Sequence, residues 1–229
     1  MHPLDNVIWR ALTTRQAHLG EQVDSAYKFN KEVSLLGGLA EPSRGAYQSM
    51  ALLLGTGERV GLFLEEVPGA VAGMSVVSTV PLLQMVCENG DAQRVASDSK
   101  VEIAALTDAD VPEMIALTEL TKPGPFARRT RAMGDYFGIR SDGKLIAMAG
   151  ERLRVPGYTE ISAVCTHPDF LGRGFAGALI SLLMGRIRGR GERPFLHVRP
   201  ENARAITLYE RLGFEKRLLN QYVILQKAA

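Results

Sequence analysis

The stretch HPDFLGRGFAG, residues 167–177, places three glycines and an arginine between a β-rich run and a helix-like one. Before it, TEISAVCTHP (159–168) alternates Ile161, Ala163 and Cys165 with Ser162, Val164 and Thr166, a period of two that predicts a strand. After it, residues 173–190 read as a helix. Gly172, Gly174 and Gly177 therefore stand where a strand hands over to a helix, and the first free N–H groups of that helix face whatever lies beyond the strand end. Unpaired amides and the macrodipole favour an anion there, and glycine lets a phosphate approach the backbone with no Cβ in the way. A tight helix-start turn without a ligand is the other reading of the same residues. No Gly-Lys-Ser/Thr ends the stretch, so it is not a P-loop. Gly172-x-Gly174-x-x-Gly177 fits the dinucleotide pattern, but a β-hairpin precedes it where a βαβ opening is required.

Outward from this junction the pattern stays regular. VEIAAL (101–106) reads as a short buried strand and DADVPEMIALTEL (108–120) as a helix, with Asp108 as cap, Pro112 in the first turn and Met114, Ile115, Leu117 and Leu120 on one side. YFGIR then meets LIAMAGERL across Ser141-Asp142-Gly143-Lys144, whose Asp-Gly centre accepts positive φ at both positions and predicts a hairpin. A turn at Val155-Pro156-Gly157-Tyr158 leads into the strand before the glycines. Strand 194–199, helix 202–212 and strand 221–226 follow them. The order β-α-β-β-β-α-β-α-β predicts an α/β protein of the α+β kind, a mixed sheet with helices on its faces. Upstream, SRGAYQSMALLL (43–54) reads as a helix, and 60–66 and 82–88 as strands separated by a loop rich in Val, Pro and Gly. ENGDAQRVASDSK (88–100) is polar and turn-rich, and places a boundary between an N-terminal lobe, 1–99, and a second domain, 100–229.

Composition narrows the function classes. With 46% apolar and 23% charged residues the chain is globular rather than disordered. The start MHPLDNVIW lacks a basic n-region and an apolar h-region, and no stretch reaches the ~18 apolar residues of a membrane span, so a soluble, cytoplasmic protein without a membrane partner is expected. Cys87 and Cys165 have no CxxC spacing and no nearby histidines, which predicts two buried reduced thiols and no metal. A net charge of +2 is too small to steer the protein toward nucleic acid. Between Phe170 and Asn220, however, ten Lys/Arg face four Asp/Glu, and this local excess suits a compact anionic partner or, for the RIRGR run at 186–190, a solvated helix face.

AVCTHPDFLGRGFAGALI (163–180) and PENARAITLYERLGFE (200–215) together resemble the two acyl-CoA-binding motifs of the GNAT N-acetyltransferase superfamily. The first resembles its glycine-rich pyrophosphate loop and the second its Asn-(x)6-Tyr helix ending in Leu-Gly-Phe. The resemblance covers about residues 101–226, including the element order. It implies that the backbone of Val164, Cys165 and Thr166 pairs with a pantetheine arm at a splay between two parallel strands. It further implies that the amides of Gly172, Arg173, Gly174, Phe175, Ala176 and Gly177 hold the pyrophosphate, that Asn202 contacts the cofactor and that Tyr209 lies near the thioester sulfur. Leu171 departs from the family, which most often has Arg or Gln there; Arg173 is the candidate to compensate. The N-terminal lobe faintly resembles the catalytically silent half of tandem-lobed members such as glycine N-acyltransferase, a degenerate GNAT-like lobe.

The expected activity is acetyl-CoA-dependent N-acetyl transfer to a primary amine of a small molecule or peptide, by direct attack in a ternary complex. A module that binds or senses acyl-CoA without turnover is the alternative, and a homodimer is among the expected partners. In acyl transfer a tyrosine O–H protonates the departing sulfur, which is the role given to Tyr209, and backbone N–H groups from Val164 to Thr166 polarise the carbonyl. For the base, His197 occupies the strand position where many members carry Glu, five residues before the Asn; imidazole titrates in the right range, and a structural histidine is the competing reading. Glu160 and Glu151 are rivals that relay a proton through water, and His167 is read as structural. PGPFARRTRAMGDYFGIR (123–140) falls where GNAT enzymes build the acceptor pocket and equally reads as a structural loop.

Overall fold

The computed structural model describes residues 2–69, 71, 73–88 and 102–228. Helix α1 (Val7–Leu12) precedes a small antiparallel sheet of β1 (Gly20–Val23), β2 (Ala26–Phe29) and β3 (Gly37–Leu39), followed by α2 (Arg44–Leu53), β4 (Arg59–Leu64) and β5 (Met74–Val86). After the undescribed stretch come β6 (Ala104–Ala105), α3 (Val111–Thr121), β7 (Tyr136–Ser141), β8 (Lys144–Val155), β9 (Tyr158–Thr166), α4 (Phe175–Gly189), β10 (Arg193–Val198), α5 (Ala203–Arg211) and β11 (Glu215–Lys227). This second series has the order read from the sequence.

Strands β4 to β11 form one eight-stranded mixed sheet, ordered β4-β11-β5-β10-β9-β8-β7-β6. β5 is thus hydrogen-bonded between β11 and β10, although it precedes them by more than a hundred residues. The residues on either side of the expected boundary share this sheet. Of the expected linker 88–100, all but Glu88 lies outside the described residues. One face of the sheet packs on α4 and α5 through Leu179, Ile180, Leu183, Ile187, Ile206 and Leu212. Against the other face, α1 and the small sheet bury Leu153, Val155, Tyr158 and Phe195, while α3 covers Met148, Leu145 and Cys165 with Met114 and Leu117. A helical layer on each side lets the central strands be apolar on both faces.

Several local expectations shift. The loop expected between the upstream strands is partly strand, since β5 already begins at Met74. The expected strand 101–106 shrinks to Ala104–Ala105, with Val101 outside the described residues. Asp108 does not cap the following helix: Thr107 and Asp110 form a capping box, with the Thr107 N–H donating to Asp110 Oδ2 at 2.7 Å. Leu120 is 53% exposed, because the apolar stripe of α3 turns away from the sheet in its last turn. The helix expected from 173 begins at Phe175, since Gly174 takes the left-handed conformation at its N-cap. Asp142 and Gly143 have φ of 49° and 78°, the pair of positive values that the hairpin requires. Both cysteines are buried. No described helix is long and apolar enough to cross a membrane.

Candidate active site

β9 and β10 run parallel and pair from Arg193 opposite Tyr158 to Phe195 opposite Glu160. Beyond that point the two strands carry no further paired residues, so Ile161–Thr166 and Leu196–Val198 flank an open gap. On the far side of β9, the pairing with β8 passes from Met148 opposite Cys165 to Gly150 opposite Ser162, which sets Ala163 and Val164 against Ala149 alone. Ala163 absorbs this bulge with a left-handed φ of 53°, a conformation uncommon for a residue with a Cβ. Because the His167 N–H donates to Ile146 O on β8, strand alternation turns the amides of Thr166 and Val164 the other way, into the gap.

A cavity of about 590 Å³ lies at one end of the gap, lined by Val164 to Thr166, by Phe170 to Gly177 and by the outward face of α5. Gly172 and Gly174 have φ of 79° and 77°, and an added Cβ on either would meet no atom within 4 Å. Conformation, rather than crowding, is what demands glycine here. No side chain caps α4, and Ala178, which donates to Gly174 O at 3.1 Å, is the first amide of this helix with a backbone partner among the described residues. Amides 175–177 are therefore available to an anion. Among the described residues Arg173, Arg204 and Arg211 line the cavity and no carboxylate does, so part of the local basic excess faces it. Arg173 also lies over the Phe170 ring, 4.8 Å from its centroid, while Leu171 is 52% exposed beside it.

A second cavity, of about 570 Å³, lies at the other end of the gap. Its walls come from Lys122 to Pro125, from Ile161 to Thr166 and from the N-terminal part of the chain, which supplies Leu36, Phe63, Ser78, Val80 and Leu82. Val164, Cys165, Thr166, Asn202 and Tyr209 line both cavities. Asn202 caps α5, its Oδ1 accepting from the Ala205 N–H at 3.1 Å, and this fixes the helix on which Tyr209 sits two turns later. Tyr209 is 8% exposed and packs edge-on to Phe214; burial pushes its hydroxyl up to about 12. Burial likewise pushes the Cys165 thiol up to about 11, so this residue offers the gap its backbone and not a thiolate.

A solved GNAT-family structure from Novosphingobium aromaticivorans is 37% identical to this chain and superimposes with a TM-score of 0.90, each chain covered in full. The N-alpha-acetyltransferase RimI of Mycobacterium tuberculosis is 33% identical over 132 residues, which cover 53% of this chain and 82% of that protein. The chain belongs to the GNAT family of N-acetyltransferases. The model of FR47-like proteins matches residues 136–224 of this GNAT chain, from β7 to the end of the site. An uncharacterised protein of Mycobacterium leprae is 31% identical over 152 residues, 61% of this chain; the chain spans 42% of that relative's length.

Below the second cavity the GNAT chain buries a polar network. Glu160 is inaccessible and accepts from Arg152 at two oxygens, 2.8 Å from Nε and 2.6 Å from Nη2. Burial alone would raise this carboxyl; the Arg152 charge, with hydrogen bonds from Arg152 and His197, outweighs it and holds the group at about 2. The orientation of His197 follows from its neighbours. Arg217 donates to Gln84 Oε1 at 2.6 Å and also pairs with Asp5, which leaves Gln84 Nε2 facing the ring. His197 Nε2 therefore accepts from Gln84 at 3.2 Å, and its Nδ1–H donates to Glu160 Oε1 at 2.7 Å. With both ring nitrogens engaged, the residue expected as base carries no free lone pair toward the cavity. Glu160 is turned to Arg152 and His197 and does not line it. Glu151 is paired with Arg190 at 2.7 Å and does not line it either. His167 is structural: its Nδ1 accepts from the Asp169 N–H at 3.3 Å.

The sequence reading missed Arg152, Gln84 and the N-terminal wall. Tyr136 belongs to the stretch 123–140 that was read as pocket or structural loop, whereas Tyr222 carried no signal; both hydroxyls are buried without a hydrogen-bond partner beside Arg152, Tyr136 in a small adjoining pocket and Tyr222 on the second cavity. Gln84 had one signal: a lone amide within the apolar run LLQMVC.

Proposed function

We propose that this GNAT protein transfers the acetyl group of acetyl-CoA to the primary amine of a peptide or small molecule, by direct attack in a ternary complex. The observation that carries the reading is the meeting of the two cavities at Val164 to Thr166 and Tyr209. One side suits a pyrophosphate, with free helix-start amides and three arginines; the other accepts a second substrate from the opposite direction. The residues present fit the cofactor, which supplies an activated acyl thioester when bound. Its phosphates would lie on amides 172–177 and Arg173, with Asn202 on its arm.

The amides of Val164 and Thr166 are aimed to polarise a carbonyl held in the gap. Tyr209, still protonated at neutral pH, hands its proton to a departing thiolate. Glu160 and His197 take a positioning role: the network they form with Arg152 and Gln84 fixes the acceptor floor, and the amine gives up its proton to water in the cavity. The N-terminal part of the chain serves as acceptor wall rather than as a second transferase centre. The unpartnered hydroxyl of Tyr222, on the second cavity, is suited to a neutral polar group such as a peptide carbonyl, because the adjacent Arg152 is already neutralised by Glu160. A polypeptide α-amine is accordingly the first acceptor to try, in keeping with the name of the Mycobacterium tuberculosis relative.

The test is thiol release from acetyl-CoA against a panel of N-terminal peptides, lysine ε-amines and small amines. Release with at least one class, saturating in both substrates, is expected. Tight CoA binding without release for any amine would replace the enzyme with an acyl-CoA-binding module.

A further inference from the structure

Away from the acyl-transfer cleft, a separate cleft of about 360 Å³ opens where the 13–19 segment meets the far end of the α3–β7 connection. It is lined by Arg15, His18, Arg131 and Arg154, with Asp135 as the one carboxylate among the described residues. The charges around it are unevenly matched. Arg131 is held by Asp108 at 2.7 Å and by Leu106 O at 3.3 Å, and Asp135 is held by Arg186 at 3.3 Å. Arg15 reaches Glu192 only at 3.6 Å and is half exposed. Glu192 is further engaged by Thr159 at 2.6 Å and Arg190 at 3.5 Å.

Arg154 differs from all of these. Among the described residues its guanidinium has no ion pair or side-chain hydrogen bond, and its Nε is sealed from water with no acceptor. A guanidinium carries five donors that cannot be discharged by losing a proton, so a partly buried one without a carboxylate is a costly arrangement. Packing does not require it. The strand is fixed locally by Gln16, which accepts from the Arg154 N–H at 3.1 Å and donates to Arg152 O at 2.8 Å and Met133 O at 3.1 Å. Those bonds hold the backbone and leave the Arg154 head group for the cleft.

We propose that the cleft of Arg15, Arg131 and Arg154 binds a compact oxyanion, a phosphate or phosphomonoester group, at a second site distinct from the acyl-CoA cleft. The anion supplies the acceptors that Arg154 lacks, and its charge offsets the surplus of arginines. A phosphate matches the planar guanidinium by paired N–H···O bonds. The site lies on the chain that also shapes the acceptor cavity. Lys122 to Pro125 form that cavity's wall, and Arg131 to Asp135, farther along the same connection, line the anion cleft.

The experiment titrates inorganic phosphate, and in a parallel arm glycerol phosphate, into the full chain saturated with CoA, so that the glycine-rich loop is already occupied. Thermal unfolding and calorimetry report binding. At about ten times its Kd the anion is expected to raise Tm by about 3–6 °C. Arg154→Met is expected to weaken binding by at least about tenfold, the loss of charge-assisted hydrogen bonds, and to unfold no lower than the parent in anion-free buffer. Arg15→Gln, at the exposed rim, serves if Arg154→Met fails to fold, with a smaller loss expected. Tighter binding of glycerol phosphate than of phosphate identifies a phosphomonoester as the preferred form, and the reverse identifies the free ion. An equal phosphate response in parent and variants, or no response in the parent, overturns the site. Neither result bears on acetyl transfer, which the thiol-release assay reads independently.

Discussion

Tyr209 lines both cavities, and its hydroxyl keeps its proton to about 12 because the ring is buried between α5 and the Leu-Gly-Phe turn. Replacing it by Phe preserves the packing and removes the proton. Tyr209→Phe is expected to lower kcat by about 10²-fold, with CoA affinity changed less than about threefold; steady-state kinetics beside direct CoA binding separate the two. Glu160 makes a different kind of prediction, about stability. Its folded value of about 2 lies below the ordinary 4.5, so the carboxylate contributes stability that is fully present above pH 4.5 and is lost as pH falls toward 2. Glu160→Gln leaves Arg152 buried and unpaired, at a cost of about 3–5 kcal/mol near neutrality. In urea unfolding the gap between parent and variant should close as pH drops from about 4.5 to about 2; a gap constant over that range would show that the pair is not what Glu160 contributes. Tyr209, Asn202 and the glycines were legible in the sequence because each belongs to a local motif whose spacing shows in the chain. His197 was read both as base and as structural histidine, and the sequence could not separate the two, since the bonds that occupy its ring come from Gln84, 113 positions away, and from Glu160, 37 positions away. Arg152 was missed for another reason: Glu160 lies only eight positions away across the β8–β9 hairpin, but a strand arginine reads as a surface residue until the burial of the pair is known.

Among elements, the β9-to-α4 junction carries the most chemistry, and its two open glycines allow a clean test. Gly174 has φ of 77° and free space around it, so Gly174→Ala imposes only the left-handed backbone cost, about 1–2 kcal/mol, and otherwise moves the helix-start amides. Gly185, in the middle of α4, also has free space but ordinary helical φ, so Gly185→Ala should stabilise the chain by roughly 0.5–1 kcal/mol. Equilibrium unfolding with CoA titration on both variants is expected to show weaker CoA binding for Gly174→Ala alone. Equal CoA affinity in the two would mean that the amide row is not the phosphate cradle. Elements with a strong local signal were readable, the Asp142-Gly143 hairpin and the helix at 44–53 above all. The first half of β5 was not, because Ser75 to Val77 are exposed and Pro81 reads as a loop residue. Pro81 is tolerated for a structural reason. The Cys87 N–H points to β10, so by alternation the missing N–H of Pro81 points to the same edge, beyond Leu83, where β10 has ended. The bulge at Ala163 had no sequence signal, since alanine rarely takes positive φ and the register slip is set by β8.

At the scale of the whole molecule, the order β4-β11-β5-β10 binds the two ends of the chain into one sheet. No local pattern encodes such an insertion: the sequence reading saw two strands upstream and a regular series downstream, and a polar stretch between them reads as a boundary whether or not a strand crosses it. Residues 102–228 alone would keep β6 to β10 but would leave β10 with an open edge and detach β11, whose full length pairs with β4 and β5. They would also uncover Leu153, Val155, Tyr158 and Phe195, now buried under α1 and the small sheet, and would strip Gln84 from His197 and Asp5 from Arg217. Four large apolar side chains exposed, at about 1.5–3 kcal/mol each, rival the entire 5–15 kcal/mol by which domains are stable, before the unpaired edges are considered. The fragment 102–228 is therefore expected to be unfolded or aggregated when expressed alone, and to recover native far-UV CD and cooperative unfolding when co-expressed with residues 1–88. A soluble 102–228 fragment with a sharp thermal transition would show that the downstream series is self-sufficient. The wall of the second cavity that residues 1–88 supply would then be an addition to a finished domain, and not part of what completes its sheet.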